Sequence, residues 1–549
     1  MQGGGKDKES RMQEKQDRIR ELPPPGGSPD PDDRHILQSQ LEEYAAKGLY
    51  PFHMPGHKRR CEPAPGLPFG WDVTEVPGTD DLHDASGILR EAMERTAAQW
   101  GADRTWYLVN GSTCGLLAGI RALARRGSEV LCARNCHKAV YHALELAGCR
   151  VHWIMPPIDP GWGICGGISA RQIKAAVRRH PSVSALILTS PTYEGVLSDI
   201  RGICGICHSR HIPVLVDEAH GAHLMPMSEK EGFPEGALAC GADIVVQSPH
   251  KTLPSLTQTA LLHLQGDLVD PELIEDELDI FETSSPSYPL MASLDGCTGI
   301  LRTQGEELFA GWAARIGRFD AAVRLLRRMR ILHHTQAPAG DSPVQQDMSS
   351  AVYDPGKILM DASSIGMTGP ELAEVLRNDW KMETEMARGK LVLAMTSLCD
   401  DEDSLDRLAL ALAGIEKAAE DRQIRGLSDS DPFPESSKPA DSAASEVPSH
   451  SPDSSRVWPS GVSRALADLK PVTVCTLAQA REQDTMRIPL SDAAGKICAR
   501  YLYFYPPGIP FLAPGELITR VHLQLLAAAQ QSGETAFRST DGTILCLRE

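Results

Sequence analysis

The chain has 549 residues, longer than one ordinary domain, so about two to four domains are expected. Its 42 % hydrophobic and 23 % charged residues are the composition of a soluble globular protein. With 55 basic against 73 acidic residues the formal charge is −18, which argues against general affinity for nucleic acid or anionic membranes, and no apolar run approaches the ~20 residues that cross a bilayer.

Residues 1–32 are charged and end in PPPGGSPDPDD, a composition that cannot bury a core, so a disordered tail is expected there. The segment has no apolar stretch resembling a signal peptide. The segment HILQSQLEEYAAKGL (35–49) then reads as a helix. Between residues 85 and 270 short β-rich runs recur at 105–111, 129–134, 149–155, 184–190, 213–219, 243–249 and 258–265. Helix-like segments lie between most of them, at 113–126, 137–147, 170–179 and 199–210. Nearly continuous apolar strands alternating with helices predict an α/β domain with a mainly parallel sheet covered on both faces.

From 306 to 422 helices dominate, with short strands at KILMDAS and KLVLAMT, which predicts an α+β small domain. An amphipathic helix over 308–330 is expected to join the two parts. Residues 427–457 contain few large apolar residues and read as a disordered linker, leaving a C-terminal domain at 458–549. The expected division is therefore a tail at 1–32, a major domain at 33–305, a small domain at 306–426, the linker, and the C-terminal α+β domain. The fourteen cysteines are scattered, and only Cys204 and Cys207 have zinc-pair spacing with no second pair, so no metal is expected. Reduced thiols and a cytoplasmic location follow from the same usage.

In such sheets ligands bind beyond the carboxyl ends of the strands, and four features fall there. After 105–111 comes Asn110-Gly111-Ser112-Thr113, a small-residue turn opening a helix, which suits either a phosphate or a plain cap. His137 opens the next helix, where an imidazole can stack on a flat ring or simply sit at the surface. Asp217 ends VLVD, followed by His220; a strand-end acid is costly to bury without a cation, and a pyridinium nitrogen, a metal or a helix end would each serve. Ser248-Pro249-His250-Lys251 follows DIVVQ, where a desolvated amine can form an imine and Ser248 can reach a phosphate, against the reading of an exposed lysine. A phosphate cup, a stacking His, a strand-end Asp and Ser-x-His-Lys, in that order, suit a pyridoxal 5'-phosphate site.

At these residues the sequence resembles the Orn/Lys/Arg decarboxylase family, whose fold is aspartate-aminotransferase-like. The blocks PFHMPGHK (51–58), VPGTDDLHDASGIL (76–89), NGSTCG (110–115), RNCHKAVYHAL (134–144), LTSPTYEGVLSDI (188–200), VDEAHGAH (216–223), SPHKTLPSLTQTA (248–260), TSSPSYPLMASLD (283–295) and YPPGIPFLAPGE (505–516) carry the likeness. The resemblance implies that Lys251 holds the cofactor and that His250 precedes it in the family pattern. It also implies that Asp217 pairs with the pyridine nitrogen beside His220, that His137 stacks on the ring, and that Ser112, Thr113 and Ser248 contact the phosphate. It further implies a short form lacking an N-terminal wing domain, a homodimer or larger homo-oligomer, and a basic amino-acid substrate. Arginine ranks before lysine and ornithine. Acids for the substrate's distal cation are sought at Asp80, Asp81, Glu282 and Glu516. The stretch EMARGK (385–390) is looser than the family's versions, and no role is carried over there. Another pyridoxal-phosphate reaction such as transamination, or an inactive regulatory relative, are the competing readings.

Overall fold

Seven strands form the large sheet: β1 (Arg104–Leu108), β2 (Glu129–Ala133), β3 (Arg150–Ile154), β4 (Val183–Thr189), β5 (Val214–Glu218), β6 (Ile244–Gln247) and β7 (Ala260–Leu264). The computed structural model describes residues 36–47, 69–159, 161–332, 352–425, 470–504, 508–531 and 542–548. The expected tail at 1–32, the linker at 427–457 and the PFHMPGHK block lie outside these residues.

The strand order is β1-β7-β6-β5-β4-β2-β3. Strands β2 to β6 run parallel through the pairs β2/β3, β2/β4, β4/β5 and β5/β6, while β7 is antiparallel to both β1 and β6. Every residue of β5 and β6 is buried, because helices cover both faces, and this is why VLVDE and IVVQ lack the alternation of a half-exposed strand. The chain passes from β2 to the edge strand β3 and then returns to β4 on the other side of β2. Such a reversal opens a crevice beyond the strands' carboxyl ends.

Local chemistry sets the helix starts. Ser169 closes a reciprocal capping box with Gln172 at the Ala170–Arg179 helix, and the Asp199 carboxylate accepts from Gly202 N–H at the Ile200–His208 helix. The connecting helix differs from expectation: it runs Tyr288–Val323, starting about 20 residues earlier than the amphipathic period suggests. Glycines 296, 299 and 305 blur the pattern in its first half. At Gly305 the reason is close packing, since a Cβ there would lie 2.6 Å from Met227 Sδ.

The small domain holds a four-stranded antiparallel sheet in the order β10-β11-β9-β8, built from β8 (Arg330–Ile331), β9 (Lys357–Asp361), β10 (Met386–Arg388) and β11 (Leu391–Met395). The helices Gly369–Trp380 and Ser404–Arg425 complete it. The C-terminal domain pairs β12 (Thr485–Pro489) with β15 (Thr543–Leu547), and β13 (Leu502–Phe504) with β14 (Ile509–Leu512). Ile488, Leu502, Leu512, Ile518 and Ile544 give it a core of its own, while Leu477, Tyr501 and Ala513 pack into the main core. Among the described residues no helix is long and apolar enough to cross a membrane.

Asp295 joins three helices. Its Oδ2 accepts from Leu37 N–H of the Ile36–Ala46 helix at 2.9 Å, and its Oδ1 pairs with Arg95 of the Ile88–Trp100 helix at 2.7 Å. Its carboxylate is only 3 % exposed, so Asp295→Ala should cost about 3–5 kcal/mol in urea unfolding by stranding Arg95, with Asp295→Asn costing less because it keeps an acceptor.

Candidate active site

Lys251 sits one turn beyond β6, in the short helix Pro249–Thr252 that Ser248 begins. Its Nζ lies 3.1 Å from His220 Nε2. Burial pulls the amine's pKa below its ordinary value, against the opposing pull of the Asp217 and Glu385 carboxylates. Asp217, 3 % exposed, stands on β5; burial pushes its carboxyl up, and Lys251 and the Ala219 N–H at 3.2 Å act the other way. The desolvated amine and the desolvated acid therefore share the same strand ends. His250 faces elsewhere with one nitrogen, since its Nδ1–H donates to the Thr259 carbonyl at 2.7 Å.

Two more imidazoles converge on the lysine. His137 caps the Lys138–Ala147 helix by accepting from Ala139 N–H, and burial, then Lys251, hold its pKa at about 4. His220 is held well below 6.5 by burial and by two lysines, Lys357 and Lys251. Both rings are therefore neutral at pH 7. Tyr193, from the loop after β4, meets the His220 ring edge-on with centroids 5.0 Å apart, and its hydroxyl donates to Glu385 Oε1 at 2.7 Å. Neither Lys357 nor Glu385 is singled out by the sequence. Lys357 opens a buried strand in the small domain, and Glu385 falls in the stretch where the family likeness is loosest.

Ser112 and Thr113 lie at the start of the Gly111–Leu123 helix, Ser112 half-buried and Thr113 exposed, with the helix's free N–H groups beside them. Ser248 Oγ is buried with no hydrogen-bond partner among the described residues. These residues fit pyridoxal phosphate: a helix N-terminus and an unpartnered buried hydroxyl for the phosphate, a buried acid in want of a cation for the ring nitrogen, and a desolvated amine. The fit rests on this donor set and on the orphaned Ser248 hydroxyl.

The four acids sought for a distal cation lie in different settings. Asp80 accepts from the N–H groups of Ser86, Gly87 and Leu89 at 3.1, 2.9 and 3.0 Å. Glu282 is buried and accepts from Val109 N–H and the Cys114 thiol, each at 3.1 Å. Glu516, 1 % exposed, pairs with Arg134 at 2.9 Å and joins the C-terminal domain to the loop after β2. Arg134 also donates to Tyr141 and the Phe511 carbonyl and lies 4.9 Å from the centroid of the Trp153 ring. Asp81 is exposed, its Oδ1 accepting from His83 N–H. Three of the four carboxylates thus already serve the fold.

Comparison with known proteins adds a family context. A model of the Orn/Lys/Arg decarboxylase major domain matches residues 36–403, and one of the C-terminal domain of those enzymes matches residues 466–536. An arginine decarboxylase of Bacillus subtilis (strain 168) is 28% identical over 521 residues, covering 93% of this chain and 97% of that protein. A constitutive lysine decarboxylase of Escherichia coli (strain K12) is 26% identical over 500 residues, covering 82% of this chain and 68% of that protein. The solved structure of an E. coli constitutive lysine decarboxylase superposes with a TM-score of 0.72 at 21% identity, covering 100% of this chain and 85% of that chain, a likeness of fold.

The Arg134–Glu516 pair generates a separate expectation. Glu516→Gln strands a guanidinium that cannot lose its proton, so urea unfolding should show a loss of about 3–5 kcal/mol. The double variant Arg134→Met/Glu516→Gln should lose less than the sum of the two single changes.

Proposed function

We propose, starting from the fact that the chain belongs to the Orn/Lys/Arg decarboxylase family, that it removes the α-carboxylate of arginine as CO2 with pyridoxal phosphate held at Lys251. The observation that carries the reading is the desolvated Lys251 amine hydrogen-bonded to His220 beside the buried Asp217. When bound, the cofactor supplies a cationic ring that takes up the electron pair left as CO2 departs. Everything else is work for the chain's own residues.

Burial shifts Lys251 toward the neutral amine, the form that attacks a carbonyl. Asp217 would keep a proton on the ring nitrogen, since a buried carboxylate is stabilised by a neighbouring cation and an unprotonated pyridine accepts charge poorly. Ser112, Thr113, Ser248 and the helix N-terminus would hold the phosphate, and His137 would stack on the ring. Lys251 or a nearby histidine, His220 or His250, would return a proton to the substrate's α-carbon, a role supported by the Lys251–His220 contact. A decarboxylase must also orient the bond to the departing carboxylate, which is a matter of positioning rather than of strong binding.

Arginine stands first because relatives named arginine decarboxylase align along nearly their full length, with lysine and ornithine following. Asp81 and Glu385 are the acids that would meet a distal cation: both are exposed and each accepts one hydrogen bond among the described residues, from His83 N–H and from the Tyr193 hydroxyl, whereas Asp80, Glu282 and Glu516 are engaged internally. A homodimer or larger homo-oligomer in the cytoplasm belongs to the same proposal.

The test is CO2 release from arginine, lysine and ornithine in parallel, with the amine products identified. Arginine should be fastest; faster release from lysine overturns the substrate order, and release from none of the three overturns the decarboxylase assignment. Asp217→Asn should retain the cofactor and lower kcat by roughly 10²–10⁴-fold, the worth of one preorganised charge contact. Unchanged kcat in that variant would mean that another group sets the ring's protonation.

A further inference from the structure

Lys357 belongs to the small domain yet is 4 % exposed and reaches the large domain's strand ends. It gets there because two segments zip together. Asp354 N–H donates to the Gly195 carbonyl at 2.9 Å, Val196 bridges Tyr353, and Leu197 N–H donates to the Val352 carbonyl at 2.9 Å. Gly195, at φ +103°, leaves the space that the lysine stem fills, since a Cβ there would lie 2.8 Å from Lys357 Cγ and 2.9 Å from its Cβ. The stem ends with Lys357 Nζ 2.8 Å from His220 Nδ1, and His220 Nε2 is in turn 3.1 Å from Lys251 Nζ. Two lysines thus flank the two nitrogens of one imidazole.

That arrangement has a direction. An ammonium group only donates, so a protonated Lys357 requires His220 Nδ1 to be the acceptor. A neutral imidazole whose Nδ1 accepts carries its proton on Nε2. The Nε2–H then faces Lys251 Nζ, which can accept only as a neutral amine. We propose that Lys357 is a positioning residue: by donating to His220 Nδ1 it fixes the Nε2–H tautomer and makes His220 the donor to Lys251. The consequence is that the small domain, through one buried side chain, biases the reactive amine toward its unprotonated form. The proposal rests on the cofactor-holding role of Lys251 for its purpose, though not for its geometry.

The surrounding charges act in both directions: around Lys251 burial favours the neutral amine while the Asp217 and Glu385 carboxylates favour the ammonium. Burial brings the Lys357 pKa down to about 8, with Asp354, Glu385 and Glu194 supporting its charge and Lys251 opposing it. It is therefore still mostly protonated at pH 7. Around His220 the groups Lys357, Lys251, His137 and His250 all disfavour an imidazolium, and the Tyr193 ring edge closes the remaining side. Asp354 is itself held by His223 Nε2 at 3.1 Å and by Gly356 N–H at 2.9 Å, which fixes the segment from which Lys357 projects.

The experiment measures the pH at which Lys251 becomes reactive, by acetic anhydride labelling of the full-length, cofactor-stripped protein and mass spectrometry of the Lys251 peptide. Lys357→Met removes both donor and charge, so the labelling midpoint should rise by about one pH unit. Lys357→Gln removes the charge and keeps a donor for His220 Nδ1, so it should recover more than half of that shift. Should the methionine variant not fold, Lys357→Leu replaces it in the same comparison. An unmoved midpoint in the apolar variant, or recovery of less than half in Lys357→Gln, overturns the proposal, the second outcome assigning the effect to through-space charge alone. The labelling needs neither cofactor nor substrate, so it stands or falls independently of the CO2 assay that tests the decarboxylase reading.

Discussion

The hydrogen bond between Lys251 Nζ and His220 Nε2 joins two groups that burial drives toward their neutral forms. A lysine in water at pH 7 is almost wholly an ammonium ion, and an ammonium has no lone pair for bond formation. Holding the amine out of water weakens that preference, because the charged form loses its hydration. The large sheet supplies the dry setting: β5 and β6 are covered on both faces, and the lysine follows immediately after β6. Asp217 works against this effect, since its charge favours an ammonium. A cation on a bound ring nitrogen would take up that charge, which is why the acid and the amine belong to one site.

The three domains meet through buried polar contacts rather than through apolar packing alone. Arg134 is stacked on aromatic rings and paired with Glu516, so the C-terminal domain is registered to the loop that carries His137. Buried ion pairs add little net stability relative to apolar replacements, yet they penalise misplacement strongly, because a lone buried charge costs several kcal/mol. The small domain is registered by the Asp354, Gly195 and Lys357 contacts in the same manner. Each domain thus places a charged group within reach of the loops that build the site.

Much of this was legible in the sequence because it depends on local order. The strands of the large domain announce themselves as apolar runs, and the chemistry-bearing residues follow their ends, so Asp217, Lys251 and His137 can be found without knowing the topology. The start of the Tyr288–Val323 helix was not legible, since its glycines answer to a tertiary neighbour at Met227 rather than to helix propensity. Lys357 reads as an ordinary lysine opening a strand; its meaning comes from His220, 137 positions away. Glu516 reads as a free acid in a site-lining loop, and only the fold reveals Arg134, 382 positions earlier, as its partner. Pairings of this kind carry no local period or cap to read.

The central claim is that Lys251 is the amine that bonds to the cofactor. Borohydride reduction of the enzyme as purified with pyridoxal phosphate, followed by proteolysis and mass spectrometry, tests it most directly. The account predicts a single phosphopyridoxyl adduct on the peptide containing Lys251, with the visible absorption of the enzyme bleached in parallel. An adduct on Lys357 or on another lysine, or visible absorption that survives reduction with Lys251 unmodified, would contradict it.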